Sequence, residues 1–338
     1  MKKLLALGAL LACSTLAAAG PTPSYFVTGS IAGPDGGGWD YARVDPGSHR
    51  LYVARSSAIS VFDTASGREV GSIGTIAHGH AVVPVAGGRL LVTSGDDATV
   101  RFLSAKDGHE IGRVAVGKKP DAAILSNDGR TAFVMNADAG TISMIDVPSM
   151  RQTRTIAVKP ALEYGALASD GTLFVNDEDA NEMEVVDVRS GRAGTPIAMP
   201  GCEAPSGLAY DGKTNRLIAA CANGKAAIVD ARTRSVVDYV DTGKGPDAVI
   251  LDATRRLAFV PCGKDGTLDV LSLDGPAVRR IGSVKTAVGA RTGALDPATG
   301  AIYLPTAAMA PSATPNGRPT PRPGTFKVLV VKPMAGRS

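Results

Sequence analysis

The feature that most constrains this chain is a repeat. Its cleanest copy is residues 41–73, YARVDPGSHRLYVARSSAISVFDTASGREVGSI, in which short apolar runs alternate with Asp-Pro-Gly, Arg-Ser-Ser and Thr-Ala-Ser-Gly. The runs are β-branched or alternating and too short for helices, so they read as strands. Aligning Val-Phe-Asp-Thr of this copy with later ones places anchors at Asp63, Ser104, Asp146, Asp187, Asp230 and Ser272, spaced 41, 42, 41, 43 and 42 residues apart. A fixed period near 40 with several strands per unit predicts propeller blades rather than a helical solenoid. The second strand of each unit recurs seven times, from Leu51-Tyr52-Val53 through Ala132-Phe133-Val134 to Ile302-Tyr303-Leu304. The expected fold is therefore all-β: a seven-bladed β-propeller of four-stranded antiparallel blades.

The second strands follow turns such as Asp45-Pro46-Gly47, Asn127-Asp128-Gly129 and Asp170-Gly171, which suit tight hairpins. First strands are rich in small residues, as in Asp121-Ala122-Ala123-Ile124 and Ser206-Gly207-Leu208-Ala209, as befits strands crowded around an axis. The seventh copy has only three strands. Tyr25-Phe26-Val27-Thr28-Gly29-Ser30-Ile31 precedes the first full unit and resembles the outer strand Arg68–Ile73. It is expected to complete the last blade, closing the ring from the opposite terminus and removing its open edges.

Residues 1–19, MKKLLALGALLACSTLAAA, combine a basic start, an apolar run and a small-residue end. They read as a signal peptide, too short for a membrane span. A rival reading is a lipobox at Cys13, which would make the product an outer-membrane lipoprotein rather than a free periplasmic one. Residues 20–338 then form one propeller domain. Of the formal charge of +4, Lys2 and Lys3 carry two, leaving a remainder near +2. That is no nucleic-acid footprint. Outside the leader, Cys202, Cys221 and Cys262 sit in a disulfide-permissive compartment. A Cys202–Cys221 bridge across one hairpin is the preferred pairing. Cys221–Cys262 is the alternative, and three clustered thiolates a third reading.

Leu51-Tyr52-Val53-Ala54, Ile59-Ser60-Val61-Phe62-Asp63-Thr64 and the Lys-x-Pro-Asp-Ala stretches at 118–122 and 244–248 resemble YVTN-repeat (YncE-like) β-propellers. The resemblance spans about 25–331 and implies seven blades, a periplasmic setting and diverse roles, single-stranded DNA binding and lactonase relatives among them.

In a four-stranded blade, the loop leading into the first strand and the loop between strands two and three open on one face, at the mouth of the axial channel. Loops on a rigid scaffold are where function concentrates. The ligand-face candidates there are Trp39, Arg55, His78, His80, Lys118, Lys119, Glu163, Tyr164, Asp177 and Arg291. His78-Gly79-His80 is the one paired histidine and a weak metal candidate. With too few ligands at hand, no metal and no cofactor are expected. Asp177-Glu178-Asp179 with Glu182, like Asp96-Asp97, misses the EF-hand spacing and reads as solvated hairpin loops. The proline-rich run 305–325 should form no sheet and act as a flap beside the mouth, with plain disorder the alternative.

The first functional reading is a non-catalytic binding module of the cell envelope, monomeric, holding a small molecule or envelope protein on this face. The alternative is a lactonase-like hydrolase, although no nucleophile motif is present. Single-stranded DNA binding is the second alternative, and it lacks a basic, aromatic-lined groove.

Overall fold

The computed structural model describes residues 24–35, 37–311 and 319–334. No helix occurs among them, and seven antiparallel sheets of four strands follow one another along the chain. Blade 1 runs Trp39–Asp45, Arg50–Arg55, Ile59–Asp63 and Arg68–Ile73, from the axis outward. Blades 2 to 6 begin with the inner strands Gly79–Val85, Pro120–Leu125, Leu162–Leu167, Pro205–Asp211 and Ile250–Asp252. The leader and Cys13 lie outside the described residues.

Ring closure follows the expectation. Blade 7 consists of Ala294–Leu295, Ile302–Thr306, Lys327–Pro333 and, as its outermost strand, Tyr25–Ala32. Tyr25 pairs with Pro333 and Ala32 with Lys327. Tyr25 and Ile31 are buried, and the Tyr25 ring packs edge-on against Phe259 of blade 6 at 4.8 Å. The added strand therefore joins the core as well as the ladder.

Burial peaks in the second strands and most third strands, which neighbouring blades cover on both faces, while the outer strands face water. Thr99–Ser104 is buried throughout, whereas Arg151–Ala157 buries only Ile156. The interior is largely Val, Ile, Leu and Ala, with Phe62, Phe102, Phe133, Phe174 and Phe259 filling the gaps between blades. The Asp anchors of the repeat prove to be turn caps. Asp63 accepts the backbone N–H of Ala65 and Ser66, and Asp187 and Asp230 repeat the pattern. Such Asx turns shape the hairpin into the outer strand.

Two features depart from expectation. The outer strand of blade 4 is split into Arg192–Ala193 and Ile197–Ala198, since Pro196 between them has no N–H to give the ladder. The proline-rich run does form a sheet, though a minimal one: Met309–Ala310 pairs with Thr320–Pro321. The one paired proline of the arm, Pro321, sits in a two-stranded edge, where a strand tolerates proline. The Gly324 N–H then bonds Asp35, tying the base of this arm to the loop before blade 1.

Candidate functional site

The site grows from a backbone irregularity repeated around the axis. In blades 1 to 5 the inner strand bulges, so that two residues oppose one on the second strand: between Trp39 and Ala42, Gly79 and Val82, Pro120 and Ala123, Leu162 and Gly165, and Pro205 and Leu208. A bulge re-aims the side chain it carries. Two residues ahead of the re-aimed position the backbone is left-handed at His78 (φ 62°), Lys119 (52°), Ala161 (61°), Ala204 (44°) and Gly245 (66°). A non-glycine residue there is uncommon, and four of these five blades accept one.

The side chains so placed are Asp40, His80, Asp121, Glu163 and Ser206, with Asp247 and Thr292 at the matching positions of blades 6 and 7. Asp40, His80, Asp121, Glu163 and Asp247 line a cavity of about 550 Å³, together with Glu178, Lys119 and Arg291. The hydroxyls of the ring are used structurally: Ser206 donates to the Pro246 carbonyl at 2.9 Å and Thr292 to that of Asp40 at 2.9 Å. Thr93, opposite the blade-2 bulge, donates to the Asp121 carbonyl and accepts the Ala81 N–H, both at 2.8 Å. These bonds staple inner strands of adjacent blades together and hold the ring rigid.

The electrostatics are those of crowded acids. Asp121 is pushed up to about 7 by burial and by Asp40, against the pull of His80 and Lys119. Burial, then Asp121 and Asp247, holds Glu163 well above the usual carboxylate range. Asp247 is raised by burial more than Arg291 lowers it, even though the Arg291 Nε donates to it at 2.6 Å. His80 is drawn upward: burial opposes its charge, but Asp40 at 2.8 Å and Asp121 outweigh that. Five carboxyl groups thus face two basic side chains and two imidazoles, and acid is in excess.

Tyr41 and Tyr164, from blades 1 and 4, meet across the channel with ring centroids 4.9 Å apart. The Arg43 guanidinium donates to the Tyr164 hydroxyl. Tyr41 lines the acidic cavity and also a second cavity of about 430 Å³, whose walls include Ile124, Leu208, Ile250 and Leu295. The two tyrosines divide the axial channel into an acidic mouth and an apolar opposite end.

Of the ligand-face candidates, His80, Lys119, Glu163 and Arg291 come together in the mouth. His78 is at its margin, its ring stacked on His80 at 4.6 Å and its Nδ1 turned to the exposed Asp96. The two histidines therefore do not converge on one point as a chelating pair. Lys118 lies outside, in a surface depression with Asp96 and Asp138. Trp39 is buried against Phe326 and shows the cavity little more than an edge. Tyr164 belongs to the divide, beyond reach of a flat ligand in the mouth.

Two candidates are corrected outright. Arg55 is a structural residue: it donates to the carbonyls of Pro34, Gly37 and Gly38 and to Ser60, and stacks 3.7 Å over the Phe326 ring. Burial lowers it to about 10. Asp177 is buried beside Glu182 and Glu184, where the Lys159 ammonium bonds Glu182; this cluster is no solvated loop. Asp40, Asp121, Glu178 and Asp247 complete the mouth, though none of them is among the ligand-face candidates. Their signal was a column: the residue after Trp39, Gly79, Pro120, Leu162, Pro205 and Pro246 reads Asp, His, Asp, Glu, Ser, Asp.

Cys202 and Cys221 are bridged, as preferred. Cys262 is free and buried, its thiol pushed up to about 12 by burial and by Asp269, which disfavours the thiolate that reacts and ligates metals. It occupies the blade-6 counterpart of Cys221, but Gly243 stands where blade 5 has Cys202.

Two groups of donors among the described residues are close enough to hold a cation: Asp40, His80 and Asp121, and Asp177, Glu182 and Glu184. The first of these lies in the mouth, whose acid groups can attract positive charge.

No family model matches this chain, and no curated protein matches it. Among solved structures it is similar to a chain of Kuenenia stuttgartiensis hydrazine synthase, with a TM-score of 0.71 and 15% identity over 79% of this chain and 92% of that one. At that identity the likeness establishes the propeller fold alone.

Proposed function

We propose that this propeller is an exported, non-catalytic binding module of the cell envelope that receives a positively charged ligand in the acidic mouth. The observation that carries the reading is the ring itself: four carboxylates and an imidazole at one register position in five of the seven blades. Its rigid hydroxyl staples favour a preformed site, which lowers the ordering cost of binding. The leader and the Cys202–Cys221 bridge support export, since disulfides persist in oxidising compartments.

The YVTN-repeat resemblance is kept as part of this proposal, and single-stranded DNA binding falls behind it. Clustered carboxylates repel phosphates, and neither Trp39 nor Tyr164 offers a face on which a base can stack. The hydrolase reading draws support from Asp121, poised near neutrality beside His80 as a general acid or base needs. Its test is a screen of lactones and esters with Asp121→Asn as control.

The binding reading is tested through Trp39, the sole tryptophan of the chain and part of the cavity wall. Spermidine and a lysine-rich tripeptide, titrated at low salt, should change its emission saturably. Glu163→Gln should weaken that binding at least tenfold. Equal binding of an oligonucleotide or an acidic peptide would overturn the reading.

A further inference from the structure

We propose that Asp40, His80 and Asp121 form a binding site for one first-row divalent metal ion of the zinc class. The inference rests on the reading of the mouth as a cation site and names the cation its innermost part takes.

The three side chains come from the same position of blades 1, 2 and 3, and their donor atoms all lie within 4.8 Å of one another. The His80 Nδ1 stands 2.8 Å from one Asp40 oxygen and 3.6 Å from one of Asp121. Ligands at about 2.1 Å around a tetrahedral ion are separated by about 3.4 Å, so small side-chain shifts convert this cluster into a coordination shell.

A second observation is independent of the clustering. The Asp121 side chain is only 8% exposed, lines the cavity, and has as its near side-chain partner the His80 Nδ1 at 3.6 Å, beyond hydrogen-bond length. A buried carboxylate normally finds a hydrogen-bond partner, and here only the His80 ring nitrogen faces it among the described residues, with the cavity beside it.

The surroundings favour a fixed geometry. Thr93 holds the Asp121 carbonyl and Thr292 holds the Asp40 carbonyl. The far edge of the imidazole packs against Gly95, where an added Cβ would come within 3.0 Å of Nε2. Such outer contacts orient metal ligands. One imidazole with two carboxylates neutralises a divalent ion and selects Zn²⁺, Co²⁺ or Mn²⁺ over Ca²⁺ and Mg²⁺, which prefer all-oxygen shells. With three protein ligands, a remaining position faces the cavity.

The test uses untagged full-length protein, stripped with a chelator and dialysed separately against Zn²⁺, Mn²⁺ and Ca²⁺. One Zn²⁺ per chain is expected, with Ca²⁺ binding at least tenfold weaker. His80→Ala and Asp121→Asn should each weaken Zn²⁺ binding at least tenfold, while His109→Ala, in a turn remote from the mouth, should not. Should a variant fail to fold, zinc-edge absorption of the wild-type complex decides: one imidazole and oxygen ligands support the site, whereas sulfur ligands overturn it. Less than one tenth of an equivalent bound, unchanged affinity in both variants, or tighter Ca²⁺ binding would also overturn it. If Zn²⁺ fails while spermidine still alters Trp39 emission, the metal site is refuted and the cation-binding reading stands; failure of both removes both.

Discussion

Two arginines show how similar side chains serve different ends here. Arg55 spends its donors on backbone carbonyls and an aromatic face, whereas Arg256 donates two bonds, at 2.6 and 2.7 Å, to the buried Asp211 of the neighbouring blade. Burial alone would raise Asp211, but the bonds from Arg256 and Thr214 outweigh it and hold the carboxyl below the usual range. A depressed folded value means that this pair stabilises the protein above the unfolded carboxyl value, about 4, and that its contribution disappears as pH falls through the folded value. Arg256→Met should therefore cost about 3 kcal/mol at pH 7, because it strands a buried charge, and much less at pH 3. Urea melts of both proteins at the two pH values check this; an equal loss at both would show that the pair is not what Arg256 contributes. None of this was legible in the sequence. Asp211 reads as another turn residue, as Asp45 does, and only the packing of blade 5 on blade 6 supplies its partner.

Between residues and ring lies the hairpin, the unit that sequence reading handles best. Each apolar run, each Asx turn and the Cys202–Cys221 pairing follows from local pattern, since register across a tight turn depends on the turn itself. The bulges do not follow. In blades 2 to 5 they follow left-handed backbone at His78, Lys119, Ala161 and Ala204, residue types that carry no such signal, so nothing local in the sequence marks the column of ring side chains. The bridge offers a test at this scale. It spans 19 residues, and closing a loop of that length stabilises by about 3 kcal/mol through the unfolded state. Cys202→Ser with Cys221→Ser should lower stability by that amount and leave metal and spermidine binding in the mouth intact, because neither cysteine reaches the cavity. Loss of binding along with stability would mean that the bridge also positions the Ser206 staple and the ring beside it.

At the scale of the whole molecule, the ring stands or falls with one strand. Tyr25–Ala32 covers the edge of Lys327–Pro333, brings Tyr25 against Phe259 and places Ile31 in the cluster that holds Trp39 and Phe326. The next link in that chain of contacts is functional. Phe326 supports Arg55, and Arg55 holds the carbonyls of Pro34, Gly37 and Gly38, the last two of which lead directly into Trp39 and Asp40. Burying Tyr25 and Ile31 contributes about 2 kcal/mol each, before the ladder bonds and the protection of an open edge are counted. Deleting residues 25–33 should thus lower stability by at least about 4 kcal/mol and promote association through the uncovered strand, seen as an earlier melt and a larger species on gel filtration. Supplying residues 24–35 as a separate peptide should restore the monomer in part, since the docking edge is otherwise intact. Ile31→Ala gives the finer measurement: a loss of about 2–4 kcal/mol with the monomer retained. If the deletion instead melts cooperatively at the wild-type temperature, blade 7 is stable with three strands and closure is decoration.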